Sequence, residues 1–130
     1  MLLQIDHHSG VPIFRQVIDQ VRYQIMAGHI KEGDQLTSVR DLSAEIKVNP
    51  MTISKAYSLL EAQGLVERRR GVGLFVAGLP LDQKRQTKAS LLEGIVGKAV
   101  ATAIQLDMSE EQVLTLVSDL FRRYNSKKRR

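Results

Sequence analysis

The first third of the chain carries apolar residues at steps of three and four positions, a spacing that places side chains on one face of a helix. These residues are Ile13, Phe14, Val17, Ile18, Val21 and Ile25. The pattern follows Pro12, which suits a first helical turn, and it ends before Gly28, a common helix terminator. The sequence therefore predicts an amphipathic helix between Pro12 and Gly28.

Two shorter helical patterns follow, separated by a polar break at residues 47–50. The first covers Val39–Ile46, with Ser38 in front of it as a good N-cap. The second runs from about Pro50 to Gln63, and Asn49 can cap it. Its predicted buried stripe consists of Ile53, Ala56, Tyr57 and Leu60. This order of elements predicts a helix-turn-helix.

A hairpin pattern comes directly after the third helix. Leu65 and Val66 are strand-like, and so are residues 74–76. The segment RRRGVG between them has two glycines one residue apart, which suit a hairpin tip that needs unusual backbone dihedrals. The predicted fold class is mainly α with a small β-hairpin, organised as a winged helix-turn-helix domain over residues 1–78.

The composition changes after Gly78-Leu79-Pro80, and two further helical patterns follow within residues 79–130. Capping boxes at Ser90–Glu93 and Ser109–Gln112 indicate where these helices start, although an earlier start of the first one is left open. Both helices carry apolar residues beyond one stripe. This surplus must meet the first domain or a second copy of the chain, and we expect a homodimer. The predicted interface residues are Leu92, Ile95, Val96, Ala99, Val100, Ala103, Val113, Leu116, Val117, Leu120, Phe121 and Tyr124.

The net charge of +5 is unevenly distributed along the chain. Residues 1–78 contain nine Lys and Arg against eight Asp and Glu, whereas residues 79–130 contain ten against six. Cations of the first domain must therefore be segregated onto one face if that face binds phosphates. The basic run Lys127-Lys128-Arg129-Arg130 has two interpretations, a disordered solubilising tail or an arm that adds non-specific phosphate contacts.

The composition argues against several other classes of protein. There is no cysteine, so disulfides and thiolate metal sites are excluded and a cytosolic location fits. No apolar run is long enough for a membrane span, and the N-terminus has no secretory signal. His7 and His8 are adjacent but have no further ligand at metal-site spacing, so no metal or cofactor is predicted. No clustered carboxylates, Ser-His-Asp set or phosphate loop is present, and we expect no enzyme.

Two features of the first domain favour DNA as its partner. The exposed face of the third helix carries short hydroxyl side chains and a flexible cation, which suit close approach to the major groove. These residues are Met51, Thr52, Ser54, Lys55 and Ser58. Three consecutive arginines, Arg68, Arg69 and Arg70, concentrate positive charge beside the glycines of the hairpin tip. The alternative for both features is an ordinary solvated surface.

Three segments resemble the winged helix of the GntR family of transcription regulators. They are GDQLTSVRDL from Gly33 to Leu42, VNPMTISKAYSLLE from Val48 to Glu61, and RGVGLFV from Arg70 to Val76. The opening IDHHSGVPIFRQV, the Asn49-Pro50 pair and the triplet Lys55-Ala56-Tyr57 are similar to the YtrA-type branch. Members of that branch have only a short two-helix C-terminal dimerisation element.

The resemblance implies roles for the matching positions. Ser38 and Arg40 fall where the family touches the DNA backbone, and a base is a second contact open to the arginine. Gly71 and Gly73 fall at the wing tip beside the minor groove. The part of the recognition helix that usually enters the major groove corresponds here to Asn49, Pro50, Met51, Thr52, Ser54 and Lys55. Thr37, like Met51 and Ser54, departs from the family pattern, so the base preference of relatives does not carry over.

Together these features predict a sequence-specific transcription regulator that binds double-stranded DNA, a dimeric repressor at an inverted-repeat operator. The alternative is a winged-helix module for protein–protein contact, with the arginine run docking an acidic partner. No membrane partner is expected. The usual GntR effector domain is missing, so we expect any small-molecule signal to be sensed in the C-terminal hairpin, at the dimer interface, or not at all; the effector itself is unknown.

Overall fold

The computed structural model describes residues 1–128, with side chains as far as residue 126. Its helices are α1 (Ile13–Met26), α2 (Val39–Ile46), α3 (Pro50–Ala62), α4 (Leu81–Gln105) and α5 (Glu110–Lys128). Between α3 and α4 lie the antiparallel strands β1 (Val66–Arg69) and β2 (Gly73–Val76). The predicted fold class, mainly α with a small hairpin, is confirmed.

The chain forms two compact units, Met1–Leu91 and Leu92 onwards. Their boundary lies inside α4, whereas the sequence places the change of domain at residue 79. The first turns of α4 are tied to the first unit, because the Gln83 side-chain amide donates to the carbonyl of Gln63 at 3.3 Å. The two interpretations of the basic run at residues 127–130 concern side chains outside the described part of the chain.

Two predicted caps fix the starts of α2 and α3. The Ser38 hydroxyl accepts the Asp41 N–H at 3.0 Å, and the Asn49 side-chain oxygen accepts the Met51 N–H at 2.8 Å. Pro50 occupies the first helical turn of α3, where a missing N–H costs nothing. Both helix starts therefore follow from a few neighbouring residues.

The C-terminal helices use only one of their two predicted capping boxes. At the start of α5, Gln112 donates its N–H to the Ser109 hydroxyl at 3.1 Å and accepts the Ser109 N–H at 2.8 Å, as predicted. Ser90 instead lies in the interior of α4, so the sequence from Ser90 is not a cap. α4 begins earlier because the Pro80 carbonyl accepts the Lys84 N–H at 3.0 Å.

Helices α1, α2 and α3 enclose the core of the first unit. The largest fully buried side chains are Leu42, Ile53, Leu60, Val17, Val21 and Val66. The stripe predicted for α3 is buried, including Ala56 and Tyr57. Since this stripe packs against α1 and α2, the opposite side of α3 is left to solvent.

The wing, residues 66–76, is extended by the segment that precedes α2. In the hairpin, Val66 lies opposite Val76, and both are buried. The N–H of Leu36 donates to the carbonyl of Leu74 at 2.8 Å, and the N–H of Val76 donates to the carbonyl of Asp34 at 2.8 Å. The wing is thus hydrogen-bonded along one edge to the chain that leads into α2.

Helices α4 and α5 leave most of their apolar side chains exposed. No described side chain of α5 is buried, and on α4 only Ala103 is buried. None of the described helices combines the length and apolar character needed to cross a membrane.

Candidate nucleic-acid interface

The N-terminus of α2, one side of α3 and the wing border an open cleft of about 170 Å³. Three predicted DNA-binding residues line it, one from each element: Ser38, Ser54 and Gly73. Arg68 and Tyr57 also line it. Tertiary folding has therefore brought together residues that are far apart in sequence.

The solvent-facing side of α3 carries the residues predicted for the major groove. Met51 is 78% exposed, Ser54 and Lys55 are also exposed, and Thr52 is half-buried. The Lys55 ammonium lies over the ring of Phe14 on α1, at 4.7 Å from its centroid. This side of α3 therefore reaches from the wing cleft, at Ser54, to the N-terminal turn of α1, at Phe14.

Two of the predicted contact residues already have a structural task. Ser38 and Asn49 use their side-chain oxygens as helix caps, which leaves the Ser38 hydroxyl hydrogen and the Asn49 amide hydrogens as free donor capacity. Arg40 is exposed in the first turn of α2, and Pro50 is exposed in the first turn of α3. All four residues lie at the N-terminal ends of these helices, the ends that favour negative charge.

Tyr57 ties the α2 N-terminus to α3. Its buried hydroxyl donates to the carbonyl of Thr37 at 2.7 Å, one residue before the cap of α2. Burial raises the pKa of the Tyr57 phenol well above its usual range, and the negative charge of Glu45 raises it further. The phenol therefore stays protonated and holds Ser38 in place beside α3.

The side chains of the consecutive arginines Arg68 and Arg69 point in different directions, and the sequence did not predict which partner each one contacts. Arg68 and Arg69 are strand residues of β1 rather than part of the tip, because Val72 donates to the Arg69 carbonyl at 3.0 Å and closes a tight turn. The Arg69 guanidinium lies 4.0 Å over the ring of Phe75. Arg68 points to α3, where its Nε and Nη2 donate to the two carboxylate oxygens of Glu61, each at 3.3 Å.

The sequence analysis placed Arg68 in the arginine run but did not single it out as a DNA-binding residue, and it lines this cleft. The signal was available in strand alternation, since Arg68 stands two residues after buried Val66 and so shares its face. Its register partner is Leu74, and Glu61 holds it beside the exposed side of α3. The wing thus places Arg68 towards the recognition helix and Arg69 on the other face of the hairpin.

The two glycines of the wing have different structural reasons. Gly71 has a φ of +73°, the value required at the third position of a type II turn, and a Cβ there would meet nothing within 4 Å. Gly73 has a φ of +143°, and a Cβ would lie 2.7 Å from the side-chain nitrogen of Gln35. That nitrogen donates to the Val72 carbonyl at 3.0 Å. The Gln35 side chain therefore holds the wing by this hydrogen bond, and the missing Cβ of Gly73 leaves space for that side chain.

Comparison with known proteins shows the family to which these elements belong. The family model of bacterial regulatory proteins, gntR family, matches residues 14–76, which contain α2, α3 and the wing. The HTH-type transcriptional repressor YtrA of Bacillus subtilis (strain 168) is 36% identical over 118 residues, covering 91% of this chain and 78% of the relative. This chain belongs to the GntR family.

Two solved structures support the same assignment. A GntR family transcriptional regulator from Listeria monocytogenes has a TM-score of 0.75 and 25% identity over 88% of this chain and 98% of its own. The AraR DBD in complex with operator ORX1 has a TM-score of 0.53 and 26% identity over 59% of this chain and 96% of its own. The GntR protein is thus a DNA-binding transcription regulator and not an enzyme, and the similarity to YtrA agrees with the predicted branch.

The residues predicted for the dimer interface of this GntR protein form two coherent faces of α4 and α5. Most are exposed in the single chain, with Ile95 at 67% and Phe121 and Tyr124 at 65%. The other exposed members are Leu92, Val96, Ala99, Val100, Leu116 and Val117. Ala103 is buried, and Val113 and Leu120 are half-buried within the chain itself.

Of the described residues, no three His, Cys, Asp or Glu are grouped as metal ligands.

Proposed function

We propose that this GntR protein is a dimeric repressor that binds an inverted-repeat operator through the α2 N-terminus, α3 and the wing. The observation that carries the proposal is the shared cleft to which all three elements contribute, with donors on its walls and an exposed α3 side next to it. The similarity to a winged helix solved on its operator supports DNA over an acidic protein as the partner.

The chemistry of this surface suits a major groove. Ser54 and Ser58 are small, exposed and able to donate or accept, so they allow α3 to approach base edges closely. Arg40 supplies a cation on α2 and Lys55 supplies one on α3. Arg70 adds a cation at the wing tip, next to Gly71. In this arrangement α3 reads bases, while the α2 N-terminus and the wing bind phosphates.

A second copy of the chain is the proposed partner of α4 and α5. A helix pair that leaves residues such as Ile95 and Phe121 two-thirds exposed has too much apolar surface for a stable solitary chain. A two-fold axis buries the same patch on both copies and presents two α3 helices to DNA. The operator is then an inverted repeat, with half-sites about 34–36 Å apart. The relative named as the repressor YtrA supports repression, and action on DNA supports a cytoplasmic location.

Selection of bound fragments from random or genomic DNA with the purified protein tests the proposal. We expect an enriched inverted repeat and a dimer by sedimentation. On that site Arg40→Ala should weaken binding, by about 1–3 kcal/mol if Arg40 contacts a base or with a salt slope reduced by about one if it contacts phosphate.

Arg85→Ala is the matched control, since it removes the same exposed cation from α4, outside the proposed surface. Equal effects of both substitutions would show that only net charge matters. A monomer that binds one asymmetric site tightly would refute the dimer model.

A further inference from the structure

The N-terminal segment is held on α1 by a ladder of three glutamines, Gln16, Gln20 and Gln24. The Gln24 amide donates to the Leu2 carbonyl. Gln20 donates to the Gln4 carbonyl at 2.6 Å and accepts its N–H at 2.8 Å. Four residues of helix rise about 6 Å and two extended residues about 6.6 Å, so the two chains stay in step. Residues 2–6 therefore run antiparallel to α1 along its surface.

Gln16, the last rung of this ladder, fixes the turn that leads into α1. It donates to the carbonyl of Asp6 and accepts its N–H, both at 2.9 Å. The same amide nitrogen lies 2.9 Å from the Val11 carbonyl oxygen and 3.1 Å from the Ser9 hydroxyl, so its two N–H groups are shared among three acceptors. Phe14 lies in the first turn of α1, which immediately follows. Its backbone is therefore held both by the helix and by the hydrogen bonds of Gln16 to the preceding turn.

The half-buried ring of Phe14 supports the ammonium of Lys55, 4.7 Å from the ring centroid. An aromatic ring attracts a cation through its quadrupole but carries no net charge. Unlike a carboxylate, it therefore restrains the lysine without neutralising it, and the ammonium keeps donors for another acceptor. Arg68 on the same surface differs from Lys55 in this respect, because its charge is paired with the carboxylate of Glu61.

We propose that Phe14 is a positioning residue for DNA recognition, which holds Lys55 on the exposed side of α3 in the free protein. A free lysine side chain loses much rotamer freedom when it is fixed on DNA, and the ring removes part of that cost before binding. The proposal rests on the proposed docking of α3, and it adds a residue of α1 that need not touch DNA itself.

A double-mutant cycle on the selected operator tests the coupling. Phe14→Leu should weaken binding about two- to five-fold, the range of an exposed cation–π contact. In the Lys55→Met background, which keeps the stem but removes the cation, the same change should have no further effect. Phe14→Tyr keeps a ring and should retain affinity. Tyr23→Leu is the matched control, because Tyr23 is an exposed aromatic of α1 whose ring lies beside His29 rather than beside a lysine or arginine.

A measurement without DNA separates positioning from simple packing. In free wild-type protein the Lys55 side-chain methylene protons should resonate upfield, shielded by the ring, and Phe14→Leu should abolish that shift. Equal losses from Phe14→Leu with and without Lys55, or an unshifted Lys55 spectrum, would overturn the proposal. Such results leave the docking model standing if Arg40→Ala still weakens binding, whereas failure of the wild type to select any DNA would overturn the proposed function itself.

Discussion

Replacement of Gly73 by alanine probes the joint between the wing and the chain that leads into α2. The new Cβ would lie 2.7 Å from the Gln35 side-chain nitrogen. That nitrogen is the far end of a flexible side chain, so it can move aside, but it then loses its 3.0 Å hydrogen bond to Val72. In addition, the φ of +143° is a conformation that alanine rarely adopts.

The cost of Gly73→Ala has two parts of known size. Backbone strain of this kind costs on the order of 1–3 kcal/mol. A lost hydrogen bond adds about 0.5–1.5 kcal/mol. We therefore expect the free energy of unfolding to fall by about 1.5–4.5 kcal/mol. Gly71→Ala is the matched comparison, since it makes the same change in the same hairpin with no neighbour to displace, and it should cost only about 1–2 kcal/mol.

Urea unfolding of both variants, each with and without Gln35→Ala, is the assay. Removing Gln35 first should lower the cost of Gly73→Ala by the hydrogen-bond part, and should leave the cost of Gly71→Ala unchanged. The reasoning is wrong if Gly73→Ala is no more destabilising than Gly71→Ala, or if Gln35→Ala changes neither value.

Three further predictions concern other parts of the chain. Phe121→Asp should weaken dimerisation by about 3 kcal/mol or more, because it buries an unpaired charge. Thr115→Asp, on the side of α5 opposite the predicted interface stripe, should not weaken it, and sedimentation at a series of concentrations checks both variants. Glu61→Gln should free Arg68 and tighten operator binding with a steeper salt dependence, measured by titration at several salt concentrations. The pKa of the Tyr57 phenol is higher in the folded than in the unfolded protein. Its contribution to the free energy of unfolding should therefore be fully present below about pH 10, the pKa of an unfolded tyrosine, and should fall as the pH rises above that value. Urea unfolding between pH 9 and 11 should show that Tyr57→Phe, at a cost of about 1 kcal/mol, removes this part of the pH dependence.

The sequence by itself determined the starts of α2 and α3 and the buried stripe of α3. Ser38 and Asn49 cap the helices that they precede, and Ile53 and Tyr57 fall on the core side at helical spacing. These features depend on residues within one or two turns of each other, so a linear pattern contains them. The motifs that resemble the GntR family lie on the same local elements, which is why the fold and the DNA-binding role could be inferred from them.

The tertiary structure alone decided which partner each functional side chain has. A run of three arginines does not show that Arg68 faces Glu61, and helical spacing does not show that Lys55 lies over Phe14, forty-one positions earlier. Nor does the sequence show that the Gln83 side chain, in the first turn of α4, donates to the carbonyl of Gln63. Such contacts join residues that come close only when separate elements pack, and their geometry is set by the whole core rather than by neighbouring residues in sequence.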